Sequence, residues 1–87
     1  MVYLKHHKKE NMEEKVLRLL EEIRPEFDFK TSNNFVEDGF LDSFDIVTMI
    51  DSIEREFDII VDGLEVVPEN FETVTSICKL ICNNGGK

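Results

Sequence analysis

The chain has 87 residues, and 19 Asp and Glu against 10 Lys and Arg give a formal net charge of −9 at neutral pH. Domains need on the order of 100 residues each, so this length allows one core, while a hydrophobic content of 41% excludes a wholly disordered chain. The acidic balance argues against a nucleic-acid partner, whose phosphates need clustered Lys and Arg, and no apolar run reaches the roughly 20 residues of a membrane span. Nor does the N-terminus carry the apolar stretch of a signal peptide, so a cytoplasmic protein with partners of basic surface is expected.

Residues 1–9 (MVYLKHHKK) contain three lysines and no acid. Residues 1–10 therefore read as a basic tail, expected to be disordered, either a native arm or a remnant of expression. The folded domain is expected over 11–83, with a short C-terminal tail at 84–87. A first helix starts at Asn11, with Glu14 three residues on as in a capping box, and carries Val16, Leu19, Leu20 and Ile23 on one face. Pro25 ends it. Residues 26–41 read as a long connection pinned by Phe27, Phe29 and Phe35.

A second helix, capped by Asp42, presents Ile46, Ile50, Ile53 and Phe57, with Val47 and Met49 broadening the apolar face. The β-branched run from Asp58 to Gly63 has no partner strand and reads as an extended loop feeding the core. Pro68 opens a brief helical turn through Phe71, and Thr73 caps a last helix bearing Val74, Ile77, Cys78 and Ile81. The expected fold is all-α, with a core of Val16, Leu20, Ile23, Ile46, Ile50, Ile53, Phe57, Val74, Ile77 and Ile81.

Between Phe35 and Glu72 the acids are interrupted by the single base Arg55. For each carboxylate alone, a solvated surface suffices; together they suit a docking face for basic partners. Cys78 and Cys82 lie one helical turn apart and read as reduced thiols, since a zinc site would need two further ligands and the only histidines are His6 and His7 in the tail. The spacing of Asp58, Asp62, Gly63 and Glu69 approaches that of an EF-hand. It fails at Ile60, which offers no side-chain oxygen, at the charged Glu65 and at Pro68. No metal ligands and no catalytic residues are assigned, because Ser43 has no histidine near it in sequence.

The informative stretch is Asp38-Gly39-Phe40-Leu41-Asp42-Ser43-Phe44. With Asp42 as N-cap, Ser43 is the first helical residue, near unpaired backbone N–H groups at the positive end of the helix dipole. A phosphodiester there gains about 0.3–1 kcal/mol when exposed. Polar residues are also common at helix starts, and on spacing alone Ser43 need do no more than follow a cap.

Asp42-Ser43-Phe44 resembles the Asp-Ser-Leu signature of acyl carrier and peptidyl carrier proteins. The surroundings are similar too: Asp38-Gly39-x-Leu41-Asp42-Ser43, then Ile46, Val47, Ile50 and Ile53, then Glu54-x-Glu56-Phe57-Asp58-Ile59, and finally Thr73-Val74 and Ile77. The resemblance covers residues 12–82. It implies a four-helix bundle of three longer helices and one short one, and a protein that is not itself an enzyme. Ser43 would be the attachment point for 4′-phosphopantetheine, delivered from coenzyme A by a phosphopantetheinyl transferase, with Asp42 as helix cap and transferase recognition residue. The arm's thiol would carry acyl or aminoacyl groups as thioesters. Phe44, Thr48, Asp51, Glu54 and Arg55 would meet loading and downstream biosynthetic enzymes, and the carrier would be a monomer.

Two residues depart from the family pattern: Phe44 stands where Leu or Met is usual, and Asp51 where fatty-acid carriers commonly have an exposed Met. Phe71-Glu72-Thr73 is similar in layout to the Trp-Asp-Thr of D-alanyl carrier proteins, which makes a D-alanyl carrier for cell-wall polymers the alternative cargo reading. An unmodified acidic helical adaptor, with the same fold and a bare Ser43, is the alternative of another class.

Overall fold

The computed structural model describes residues 10–87. Three helices follow in order, α1 (Met12–Ile23), α2 (Ser43–Phe57) and α3 (Val74–Asn83), and their connections carry 3-10 turns at Phe29–Thr31, Gly63–Glu65 and Pro68–Phe71. Among the described residues there is no strand, and no helix is long and apolar enough to cross a membrane. The tail expected over 1–10 lies, apart from Glu10, outside the described residues. Glu10 itself is paired with Arg18 at 3.0 Å.

Each helix begins where its cap demands. The Asn11 side chain accepts from the Glu14 N–H at 2.8 Å, and Glu14 accepts from the Asn11 N–H at 3.0 Å, so two N–H groups without helical partners are satisfied reciprocally. Thr73 accepts from the Ser76 N–H at 3.0 Å to start α3. At the other end of α1, Arg24 has left helical backbone angles ahead of Pro25. Helix α3 runs antiparallel to α1: Met12 meets Cys82, while Leu17 and Val74 line one groove further along. Helix α2 packs across α1 as well, and Arg18 of α1 holds Glu56 of α2 at 3.2 Å.

The connection over 24–42 is ordered by aromatic packing. Phe29 and Phe35 are fully buried and meet edge to face at 5.0 Å, Phe40 meets Phe29 edge to face at 5.5 Å, and Phe27 stacks on Phe40 at 4.4 Å. The Phe35 backbone is the hub. Its carbonyl accepts from the N–H groups of Phe40 at 2.8 Å and Leu41 at 3.1 Å, and its own N–H donates to Glu72 O at 2.8 Å, just ahead of the Thr73 cap. Gly39, at φ 77°, supplies the left-handed residue that lets the chain double back onto Phe35.

Helix α2 ends on Asp58 in the left-handed conformation at φ 55°, which gives its N–H to Glu54 O. The following loop is stitched down by Asn84. Its amide donates to Glu65 Oε1 at 3.1 Å and Leu80 O at 2.7 Å, and its side-chain oxygen accepts from the Asp62 N–H at 2.9 Å. Val61 is the residue of this loop that enters the core. The Pro68–Phe71 turn forms as a 3-10 turn and drives Phe71 into the centre.

The core differs from the expected one in an instructive way. Val16, Leu20, Ile46, Ile53, Ile77 and Ile81 are buried, but Ile23, Ile50, Phe57 and Val74 sit at its margin. Their places are taken by side chains from the connections, above all Phe29, Phe35, Leu41 and Phe71. Val47, expected to broaden the inward face of α2, is instead 63% exposed. The buried positions of that helix are Ile46, Met49 and Ile53, and Val47 falls on the opposite arc with Phe44 and Asp51.

Phe71→Ala empties the middle of this core, so it is expected to cost about 3–5 kcal/mol, read as a lower urea midpoint. A cost below about 1 kcal/mol, the size of a surface effect, would show that the Pro68–Phe71 turn is not part of the cooperative core.

Candidate functional site at the start of helix α2

Asp42 has extended backbone angles, and its Oδ1 accepts from the Asp45 N–H at 2.9 Å. In return, Asp45 Oδ2 accepts from the Asp42 N–H at 3.0 Å, a capping box with Asp in the place of the commoner Glu. Between them the predicted residue Ser43 stands exposed as the first residue of α2, and its hydroxyl has no hydrogen-bond partner among the described residues. The N–H groups of Ser43 and Phe44 precede the first intrahelical bond, from the Ile46 N–H to Asp42 O at 3.0 Å, and so face solvent at the positive helix end.

The sequence reading missed the residue that anchors this corner. Arg24, at the end of α1, donates through Nε to Asp45 Oδ2 at 3.0 Å and through Nη1 to Glu26 Oε2 at 2.9 Å, while Nη2 lies 3.7 Å from Asp42 Oδ2. The guanidinium also covers the Phe27 ring at 5.6 Å. The hydrogen bond to Asp45, then that to Glu26, holds the Arg24 proton more firmly than usual. Partial burial pushes the Asp45 carboxyl up, but the hydrogen bonds from Arg24 and from the Asp42 backbone outweigh it and leave the carboxyl below the ordinary Asp range. The Asp42-x-x-Asp45 spacing was open to reading as a capping box. The pairing with Arg24, 21 residues away, carries no local signal.

Of the five residues expected to meet partners, Phe44, Thr48, Asp51 and Arg55 share one exposed stripe of α2. Phe44 is 79% exposed, and Val47 extends its apolar surface. Thr48 Oγ1 donates to Phe44 O at 3.2 Å, and Arg55 pairs with Asp51 one turn away. Glu54 departs from the expectation of an exposed docking group. It is half-buried, and its carboxylate accepts from the Val61 N–H at 2.9 Å, fastening the loop after α2.

Elsewhere, the EF-hand-like spacing folds into the Gly63–Glu65 turn, where the Asp62 carboxylate caps the Leu64 N–H at 2.9 Å. Cys78 is half-buried and Cys82 exposed, both as free thiols. Burial, then the fields of Glu13 and Cys82, pushes the Cys78 thiol up. His6 and His7 lie outside the described residues. Among the described residues no three of His, Cys, Asp and Glu gather as a metal-binding group. Comparison of the chain with protein-family models, with curated proteins and with solved structures finds no match in any of the three.

Because the Asp45 carboxyl is depressed in the folded protein, its contribution is full above the unfolded Asp value near 4 and is lost as pH falls through the folded value. Asp45→Asn is therefore expected to be less stable than the parent at neutral pH, with the difference closing on acidification below about pH 4. Melting temperatures across pH check this, and a difference independent of pH overturns it.

Proposed function

We propose that the chain is a carrier domain of the acyl carrier type, in which Pro68–Phe71 serves as the short fourth helix and Ser43 is the attachment point for 4′-phosphopantetheine. One observation carries the reading: Ser43 offers an exposed, unpartnered hydroxyl on a first helical turn that Asp42, Asp45 and Arg24 hold fixed. Support also comes from the order of motifs around it, Asp38-Gly39 before the site and the Ile46–Ile53 face after it.

The residues present fit such a group. The Ser43 oxygen has no internal bond to break before it would attack the pantetheine-side phosphorus of coenzyme A on the transferase, forming the phosphodiester as the hydroxyl proton is lost and the adenosine bisphosphate half leaves. The N–H groups of Ser43 and Phe44 are available to a phosphodiester at a helix N-terminus. When bound, phosphopantetheine supplies a flexible arm ending in a thiol that holds an acyl or aminoacyl group as a thioester. The chain's own contribution is position and recognition. Asp42 and Asp45 keep Ser43 at the mouth of the helix, and Phe44, Val47, Thr48, Asp51 and Arg55 offer partner enzymes an apolar patch bordered by charge. Basic docking surfaces on those enzymes complement the net charge of −9. In this reading the protein is a cytoplasmic, monomeric shuttle and catalyses no reaction of its own.

Incubation with coenzyme A, magnesium and a broad-specificity phosphopantetheinyl transferase is expected to add the mass of one phosphopantetheine to the parent and none to a folded Ser43→Ala. No gain in a folded parent shown beforehand to lack the arm favours the unmodified acidic adaptor. A gain in Ser43→Ala refutes the site. Val47→Ser, on the exposed stripe, is expected to change stability by less than about 0.5 kcal/mol while slowing transfer from at least one loading enzyme, which urea titration and loading kinetics separate.

A further inference from the structure

At the far end of the molecule, where the start of α1 meets the end of α3, Cys82 and Met12 bring two sulfur atoms into contact, and Cys78 lies one turn away. Cys82 Sγ lies 4.0 Å from Met12 Sδ across the α1–α3 contact. Cys78 is one turn earlier on α3, and side chains so spaced share one helix face with Cβ atoms about 5–6 Å apart. Cys78 and Met12 are both packed against the core, and Cys78 feels the fields of Glu13, the neighbour of Met12 on α1, and of Cys82. Both cysteines are free thiols, and Cys82 is open to solvent.

The sulfur separation is informative. With metal–sulfur bonds of about 2.3 Å, two ligands of a trigonal set stand about 4 Å apart. Cys82 Sγ and Met12 Sδ already stand at that separation. Thiolates with a thioether are a soft donor set, which selects copper(I) over zinc, calcium or magnesium. Zinc sites of the structural kind use four ligands from Cys, His and carboxylates, and a thioether is not among them.

We propose that Met12, Cys78 and Cys82 form a binding site for one soft monovalent cation, of which copper(I) is the type, held by two thiolates and one thioether. On binding, each thiol gives its proton to solvent as its sulfur bonds the ion, and no electron is transferred. Cys82 supplies the point of approach, Cys78 draws the ion towards the core, and Met12 closes the set from α1. Two helices that otherwise meet through apolar contact would thereby share a ligand set. The inference is independent of the carrier reading, and its test is made on Ser43→Ala, where no attached arm can contribute a further thiol.

Reduced Ser43→Ala protein is titrated without oxygen against the copper(I) complex of bicinchoninate, followed by its colour and by native mass. The expected result is withdrawal of one copper per chain with the protein still a monomer. Cys82→Ser and Met12→Leu are each expected to weaken retention by about tenfold or more, the usual scale for loss of a group that supports a metal. Cys82 is exposed, and Met12→Leu keeps size and apolarity, so circular dichroism is expected to match the parent for both. Replacement of His6 and His7 by Ala is expected to change nothing. X-ray absorption of the copper form should give three sulfur neighbours at about 2.3 Å. No withdrawal of copper, retention unchanged by Met12→Leu or by Cys82→Ser, loss of retention on replacing the histidines, or one copper shared between two chains would each overturn the proposal.

Discussion

A single guanidinium holds the corner on which this molecule is organised. Arg24 ends α1, and its carboxylate partners are the residue after Pro25 and the two residues that cap α2. An exposed ion pair contributes little, because water screens it and two long side chains must be fixed. This one is different in kind, since Asp45 is only 13% exposed and also accepts a backbone N–H. Loss of Arg24 would leave a carboxylate in a half-dry pocket and loosen the turn that presents Ser43.

The second constraint is size. A chain this short cannot fill a core from three amphipathic helices alone, because so much of its surface stays exposed. The connections supply the remainder. Phe29, Phe35, Leu41, Val61 and Phe71 all lie outside the helices and are all buried. Their backbones must then find partners in a place water does not reach. The doubled use of the Phe35 carbonyl and the bond from the Phe35 N–H to Glu72 O meet that demand. The long connection is therefore as much a wall of the core as the helices it joins.

What could be read in the sequence follows the range of the interactions. Helix starts at Asn11, Asp42 and Thr73, the stop at Pro25 and the turn opened by Pro68 depend on residues within a few positions of one another, and they are legible. The roles of Arg24, Glu54 and Asn84 depend on pairings across loops, and they are not. Val47 is exposed despite its apolar side chain, because apolar character is a sign of burial only when a neighbour covers it. On α2 the covering elements reach Ile46, Met49 and Ile53 and stop short of the next residue round the helix. The place of Ser43 after a cap is legible, its role as an attachment point rests on the resemblance of Asp42-Ser43-Phe44 to a carrier signature, and its lack of any bond to the described residues is visible only in three dimensions.

That lack of internal bonds has a thermodynamic meaning. A substituent alters the balance between folded and unfolded chains only by the difference in what it touches in the two states. Joined to the Ser43 oxygen, it would displace no native hydrogen bond, enter no packed volume and leave the Asp42 and Asp45 caps as they are. The position thus accepts a substituent without loss of native contacts. What a negatively charged substituent would add is the attraction of the positive end of α2, which favours the folded chain.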